Sequence, residues 1–215
     1  MTQTDTSKDV IKYVVFDFDG TLANTMDAIL DIATNEVGEI SDEDYEAMRH
    51  EGIKGVIKRF NIPLWELPKV IAQFSSVLTK REDIKLYPHI IELMDKLTAN
   101  SFKLGVLSSN SEENIKKVLD RHSILEKFDF IYSQSSLFGK DKVMKRMCKK
   151  HNILPSEIIY VGDEDRDINA CKKVNIKCIA VTYGFNSRER LAKLEPDFIA
   201  DSTMEIADIV LSLNK

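Results

Sequence analysis

The chain has 215 residues, 43% hydrophobic and 30% charged, which excludes a disordered chain and allows one core domain plus a modest insertion. Thirty basic against thirty-five acidic residues leave a formal charge of -5, excluding the broad positive field that draws nucleic acid backbones. Cys148, Cys171 and Cys178 form no CxxC pair and fit a reducing cytoplasm, while the polar stretch Met1 to Val10 lacks a signal peptide's apolar centre and no run reaches membrane-spanning length.

In chain order, Tyr13 to Phe18 reads as a short apolar strand running into Asp-Phe-Asp-Gly-Thr. Residues 24–83 then break the pattern, with helical periodicity and no convincing strand. In that stretch Ser41-Asp-Glu-Asp is placed to cap a helix, Pro63 to punctuate one, and Trp65 to Lys80 supplies a longer amphipathic run. Trp65 is read as core of this insertion. Further strands are expected at Phe102 to Leu107, Phe128 to Tyr132, Ile158 to Val161 and Lys177 to Thr182. Helices are expected at His89 to Thr98, Glu112 to Leu119, Lys142 to Lys150 and Ile168 to Val174, with a last one at Ser202 to Leu213.

Short apolar strands alternating with amphipathic helices predict an α/β fold, a Rossmann-like parallel sheet with helices on both faces. The expected division is a core of residues 1–23 and 84–215 with an all-helical cap, residues 24–83, inserted after the first strand. Ligands of such sheets bind beyond the carboxyl ends of the strands, where three of these strands carry polar clusters.

Asp17 and Asp19, followed by Gly20, can divide labour as nucleophile and proton carrier, or simply make a solvated turn. Asp163, Glu164, Asp165 and Asp167 would repel one another unless a cation or a helix N-terminus absorbed the charge. A cation preferring oxygen donors points to magnesium, with Asp163 as direct ligand and Asp167 one turn further on behind it. Helix capping accounts equally well for Asp165 and Glu164. Ser108, Ser109 and Asn110 read either as a phosphate cradle or as caps. Lys140 opens a helix against the dipole, which a substrate anion would explain, although Lys142 stands beside it in a lysine-rich stretch.

Taken together, Asp-Phe-Asp-Gly-Thr from Asp17, Ser109-Asn110, Lys140 and Gly-Asp-Glu-Asp-Arg-Asp from Gly162 resemble the four ordered motifs of the haloacid dehalogenase-like superfamily. The helical insertion, Val181-Thr-Tyr-Gly-Phe-Asn and Glu195-Pro-Asp-Phe-Ile are similar to its phosphoglycolate phosphatase-like branch. Two departures stand out: Glu164 occupies a position where many relatives have a small hydroxyl residue, and Lys140 lacks the prolines that often follow it.

The resemblance implies a cytoplasmic phosphoric monoester hydrolase acting on a small phosphorylated metabolite, phosphoglycolate-like or a sugar phosphate, with neither nucleic acid nor membrane as partner. It implies magnesium bound by the Asp17 carboxylate, the Asp19 carbonyl and Asp163, phosphoryl oxygens held by Ser109, Asn110 and Lys140, and an aspartyl-phosphate on Asp17. A dehalogenase has no use for the second aspartate. A sugar-phosphate mutase and a catalytically silent phosphate-binding regulator remain as alternatives. Arg49, His50 and Lys54 lie near Gly52 and Gly55, where a mobile loop of the cap is expected to carry them towards the substrate, Arg49 first.

Overall fold

Tyr13–Phe16 (β1) runs through the middle of a six-stranded sheet because Val14, Val15 and Phe16 offer apolar, fully buried flanks to both faces. In this computed structural model, residues 10–66, 69, 76, 78, 81–134 and 139–215 are described. Along β1, Val14 and Phe16 enter one hydrophobic cluster and Val15 the opposite one, as the two-residue strand period requires.

The strands on one side of β1 are Lys103–Ser108 (β4) and Phe130–Ser133 (β5). On the other lie Ile158–Gly162 (β6), Lys177–Val181 (β7) and Phe198–Ala200 (β8). The order is β5-β4-β1-β6-β7-β8 and every pairing is parallel, with Val14 beside Leu104 and Ile159. A separate antiparallel pair, Ala23–Asn24 (β2) with Lys85–Leu86 (β3), brings together the chain leaving and re-entering around the helical segment.

Two helices of that segment are described, Met26–Val37 (α1) and Asp42–Arg59 (α2). The first sheet face is covered by Ile90–Ala99 (α3), Glu112–Arg121 (α4) and Thr203–Leu213 (α8), through Leu93, Met94, Val118, Ile206 and Val210 among others. The second is covered by Lys140–His151 (α5) and Asp165–Val174 (α6), with Leu191 of Arg188–Ala192 (α7).

Most expected elements occur within a residue or two of their expected ends, and the larger shifts have local causes. β1 stops at Phe16, two residues early, since the Phe18 carbonyl instead accepts the N–H groups of Thr21, Leu22 and Ala23 in a tight turn. α5 and α6 begin earlier than expected, at Lys140 and Asp165, because their first turns are polar and add nothing to the apolar periodicity. β2, β3 and β8 were not expected; at two or three residues each they are too short to show an alternation.

Two readings of the insertion need correction. Trp65 is 81% exposed and therefore belongs to no core among the described residues. The Gly52–Gly55 stretch is not a loop but part of α2, interrupted only at Gly52 (φ 70°, ψ -174°). Most of the run expected from Trp65 to Lys80 lies outside the described residues.

Candidate active site

The carboxyl ends of β1, β4 and β6 lie side by side, so parallel pairing alone brings the polar residues following each strand to one rim. Asp17 leaves β1 still tied to the sheet, its N–H donating to the Val161 carbonyl at 2.8 Å. Its buried Oδ2 accepts from the Lys140 ammonium at 2.5 Å. Lys140 also donates to Asp167 Oδ1 and lies over the Tyr160 ring, 5.1 Å from its centre. Burial by itself would lower the lysine's pKa, but Asp167 and Asp17 outweigh it and hold the ammonium above its ordinary value. Of the two candidate lysines, Lys140 is the one that reaches these carboxylates, whereas Lys142 is exposed.

Asp163 sits wedged beneath the turn that follows β1. Gly20 has φ 74°, and a Cβ there would lie 2.1 Å from Asp163 Oδ2, so a side chain is barred by both conformation and space. Thr21 Oγ1 donates to Asp163 Oδ1 at 2.9 Å and the Phe185 N–H to Oδ2 at 2.7 Å. Burial, followed by the charges of Glu164, Asp167 and Asp17, raises the Asp163 carboxyl well above the usual range, with the Phe185 N–H opposing. Carboxylate oxygens of Asp17, Asp163 and Asp167 all lie within 4.8 Å of one another.

Such crowding of buried acids is what a cation relieves, and the all-oxygen donor set suits a hard one. Asp167 is the one whose partners are Lys140 at one oxygen and the Glu164 N–H, at 3.1 Å, at the other, which ties it to the first turn of α6. Glu164 stands at the N-cap of α6, as expected, and Asp167 accepts its N–H; Asp165, also expected to cap, pairs with Arg190 instead.

Asp19 is pushed up to about 7 by burial and by the Asp17 charge, against the hydrogen bonds from Asn110. Asn110 Nδ2 reaches both Asp19 oxygens at 3.1 Å, while its Oδ1 accepts from Ser111 N and Asn114 Nδ2. Asn110 therefore orients an acid whose pKa lies near neutrality, the range in which a carboxyl can both give and take a proton. Ser109 and Lys140 line a small pocket with Ser108, Gln134 and Arg166.

Arg49 and His50 stand apart from this group. They meet the loop after β7: Arg49 Nε donates to the Phe185 carbonyl at 3.2 Å, and the Arg49 carbonyl accepts from Ser187 N and Asn186 Nδ2. His50 Nδ1 is 2.9 Å from Ser187 Oγ. Buried Asn186 also accepts the Asp165 N–H at 2.7 Å, joining α2 to the first turn of α6. A Cβ on Gly52 would come 3.0 Å from both Arg190 and Asp165, which is why α2 breaks there on a glycine. Lys54 is exposed.

Sequence reasoning quoted Thr21, Phe185 and Asn186 within motifs without giving them a role. Their contacts with Asp163 and Asp165 are made by a backbone N–H, a hydroxyl and an amide from distant segments, which no spacing reveals.

Residues 14–181 match the family described as haloacid dehalogenase-like hydrolase. A phosphoglycolate phosphatase of Synechococcus elongatus is 28% identical over 209 residues, covering 93% of this chain and 97% of that one. Another, from Vibrio vulnificus, is 28% identical over 222 residues, covering 94% and 96%. In three dimensions the crystal structure of a predicted phosphatase from Clostridium acetobutylicum superposes with a TM-score of 0.81 at 23% identity, covering 94% of this chain and 99% of the other.

Proposed function

The chain belongs to the haloacid dehalogenase-like hydrolases and is a phosphoric monoester hydrolase; on that premise we propose that it cleaves a small phosphorylated acid or sugar phosphate with Asp17 as nucleophile. The observation that carries this reading is the Asp17–Lys140–Asp167 arrangement, a buried carboxylate paired with a cation at the end of the central strand. Asp17 attacks phosphorus and the bond to the leaving oxygen breaks, giving an aspartyl-phosphate. Asp19 delivers the proton that the leaving oxygen needs, then removes one from the water that attacks the aspartyl-phosphate and frees inorganic phosphate.

Lys140 and Ser109 bind the phosphoryl oxygens, with Lys140 offsetting the charge that would otherwise repel an anionic nucleophile. Asn110 holds Asp19 in line. Magnesium, with the Asp17 carboxylate, the Asp19 carbonyl and Asp163 as its holders, would supply further positive charge for the transferring group; the crowded oxygen donors fit it.

Residues 24–83 act as a cap over the crevice, with Arg49 the candidate for contact with the leaving group once it closes and water is excluded. The phosphoglycolate phosphatases of similar sequence make phosphoglycolate the first substrate to try. We assign the reaction to the cytoplasm; no helix among the described residues is long and apolar enough to cross a membrane.

The test is phosphate release from para-nitrophenyl phosphate, then from phosphoglycolate and a panel of sugar phosphates, with magnesium and with chelator. Release that disappears on chelation and returns with magnesium supports the reading. Release that ignores chelator removes the cation from it.

A further inference from the structure

Arg166 lies between Asp165 and Asp167 in the first turn of α6, where the family resemblance left it without a role. Its side chain is only 18% exposed, and one edge is fixed by Nη2 donating to Glu164 Oε1 at 2.5 Å. Its Nε is buried and has no hydrogen-bond partner among the described residues. The same side chain lines the small pocket formed by Ser108, Ser109, Gln134 and Lys140. Its charge is felt by Asp19 and Asp167, lowering the pKa of each. The guanidinium thus belongs to the crevice rather than to the outer face of α6.

A buried guanidinium N–H without an acceptor costs free energy, and an arriving oxygen anion removes that cost. A guanidinium held by a carboxylate along one edge still offers further N–H groups to oxygen acceptors. Glu164 is the holder here, which gives a purpose to the departure at that position: its negative charge, unwelcome among Asp163 and Asp167, is balanced by the cation it orients.

We propose that Arg166, braced by Glu164, is a second phosphoryl-binding cation that donates to an oxygen of the phosphate group in the Ser109–Lys140 pocket. This rests on the reading of that pocket as the phosphoryl site. The pair Lys140 and Arg166 then grips the group from two directions, one as a point charge and one as an oriented donor.

Binding of inorganic phosphate to the magnesium-loaded protein, followed by calorimetry and as competitive inhibition, tests this. Arg166→Gln is expected to weaken phosphate binding by about tenfold or more, the loss typical of one charge-assisted hydrogen bond, while magnesium affinity stays at the wild-type value. Arg166→Lys should recover part of the loss.

If Arg166 serves only to neutralise Glu164, the charge-balanced Glu164→Gln/Arg166→Gln protein will bind phosphate as wild type does, and the proposal fails. The proposal requires the double variant to stay weak, and this protein carries the test should Arg166→Gln alone fold poorly. Unchanged phosphate affinity in Arg166→Gln also overturns it. Asp17→Asn is the control: hydrolysis surviving in that variant overturns the phosphoryl site and the proposal together, whereas its loss alongside a neutral Arg166→Gln overturns Arg166 alone.

Discussion

The rim of the sheet and the helical segment between β2 and β3 obtain their order in different ways. At the rim, Asp17 and Asp163 follow directly from strands, and Ser108 ends one, whose residues are almost all buried, so the sheet itself sets where they point. In the helical segment, α2 is positioned by polar contacts to a loop, with Arg49 on Phe185, Asn186 on Arg49 and His50 on Ser187. A sheet interior tolerates few alternatives, whereas a joint made of individual hydrogen bonds can open locally at small cost. On the proposed function, rigid placement suits groups that meet the reacting phosphorus, and a loosely held joint suits a segment proposed to admit the substrate.

Substitutions can strain this contrast. Asp17→Asn removes the proposed nucleophile while keeping its volume, and phosphate release should fall by about a thousandfold or more, measured in single-turnover assays. A smaller loss would mean that water reaches phosphorus without Asp17. Asp19→Asn should lower kcat by about a hundredfold or more with phosphate affinity nearly unchanged, since Asn110 would still meet an oxygen there; equal loss of both would deny it a proton-transfer role.

At the joint the expected effects shrink. Asn186→Ala deletes the side chain linking the Asp165 N–H to the Arg49 carbonyl and should weaken magnesium binding by about tenfold in a titration, because the Phe185–Asn186 backbone that braces Asp163 is released. Unaltered magnesium affinity would separate the joint from the metal site. Trp65→Ala should change stability by no more than about 0.5 kcal/mol in thermal unfolding, as expected for a side chain 81% exposed. A loss of several kcal/mol, the usual result for a buried tryptophan, would mean that Trp65 is covered after all.

The difference also governed what could be read in advance. Asp17, Asp19, Lys140 and Asp163 were legible because each follows or opens an element whose apolar pattern is strong. Trp65 and the Gly52–Gly55 stretch were misjudged because hydrophobicity and glycine content describe a tendency, while exposure and the single break in α2 depend on what stands opposite. Arg166 offered no signal beyond its charge, which reads the same on a solvated helix as in a crevice.

By itself the sequence determined the parallel α/β sheet, since strand and helix periods are local properties of the side chains, and it determined the acids at the rim but left Lys140 and Lys142 as rivals. Only the tertiary structure decided that Asn110 faces Asp19, that Asp167 is taken up by Lys140 and the cap of α6, and that the loop after β7 links Asp163 to α2. Those pairings join residues far apart in the chain through single oriented hydrogen bonds, and orientation across such separations exists only once the sheet has brought the strand ends together.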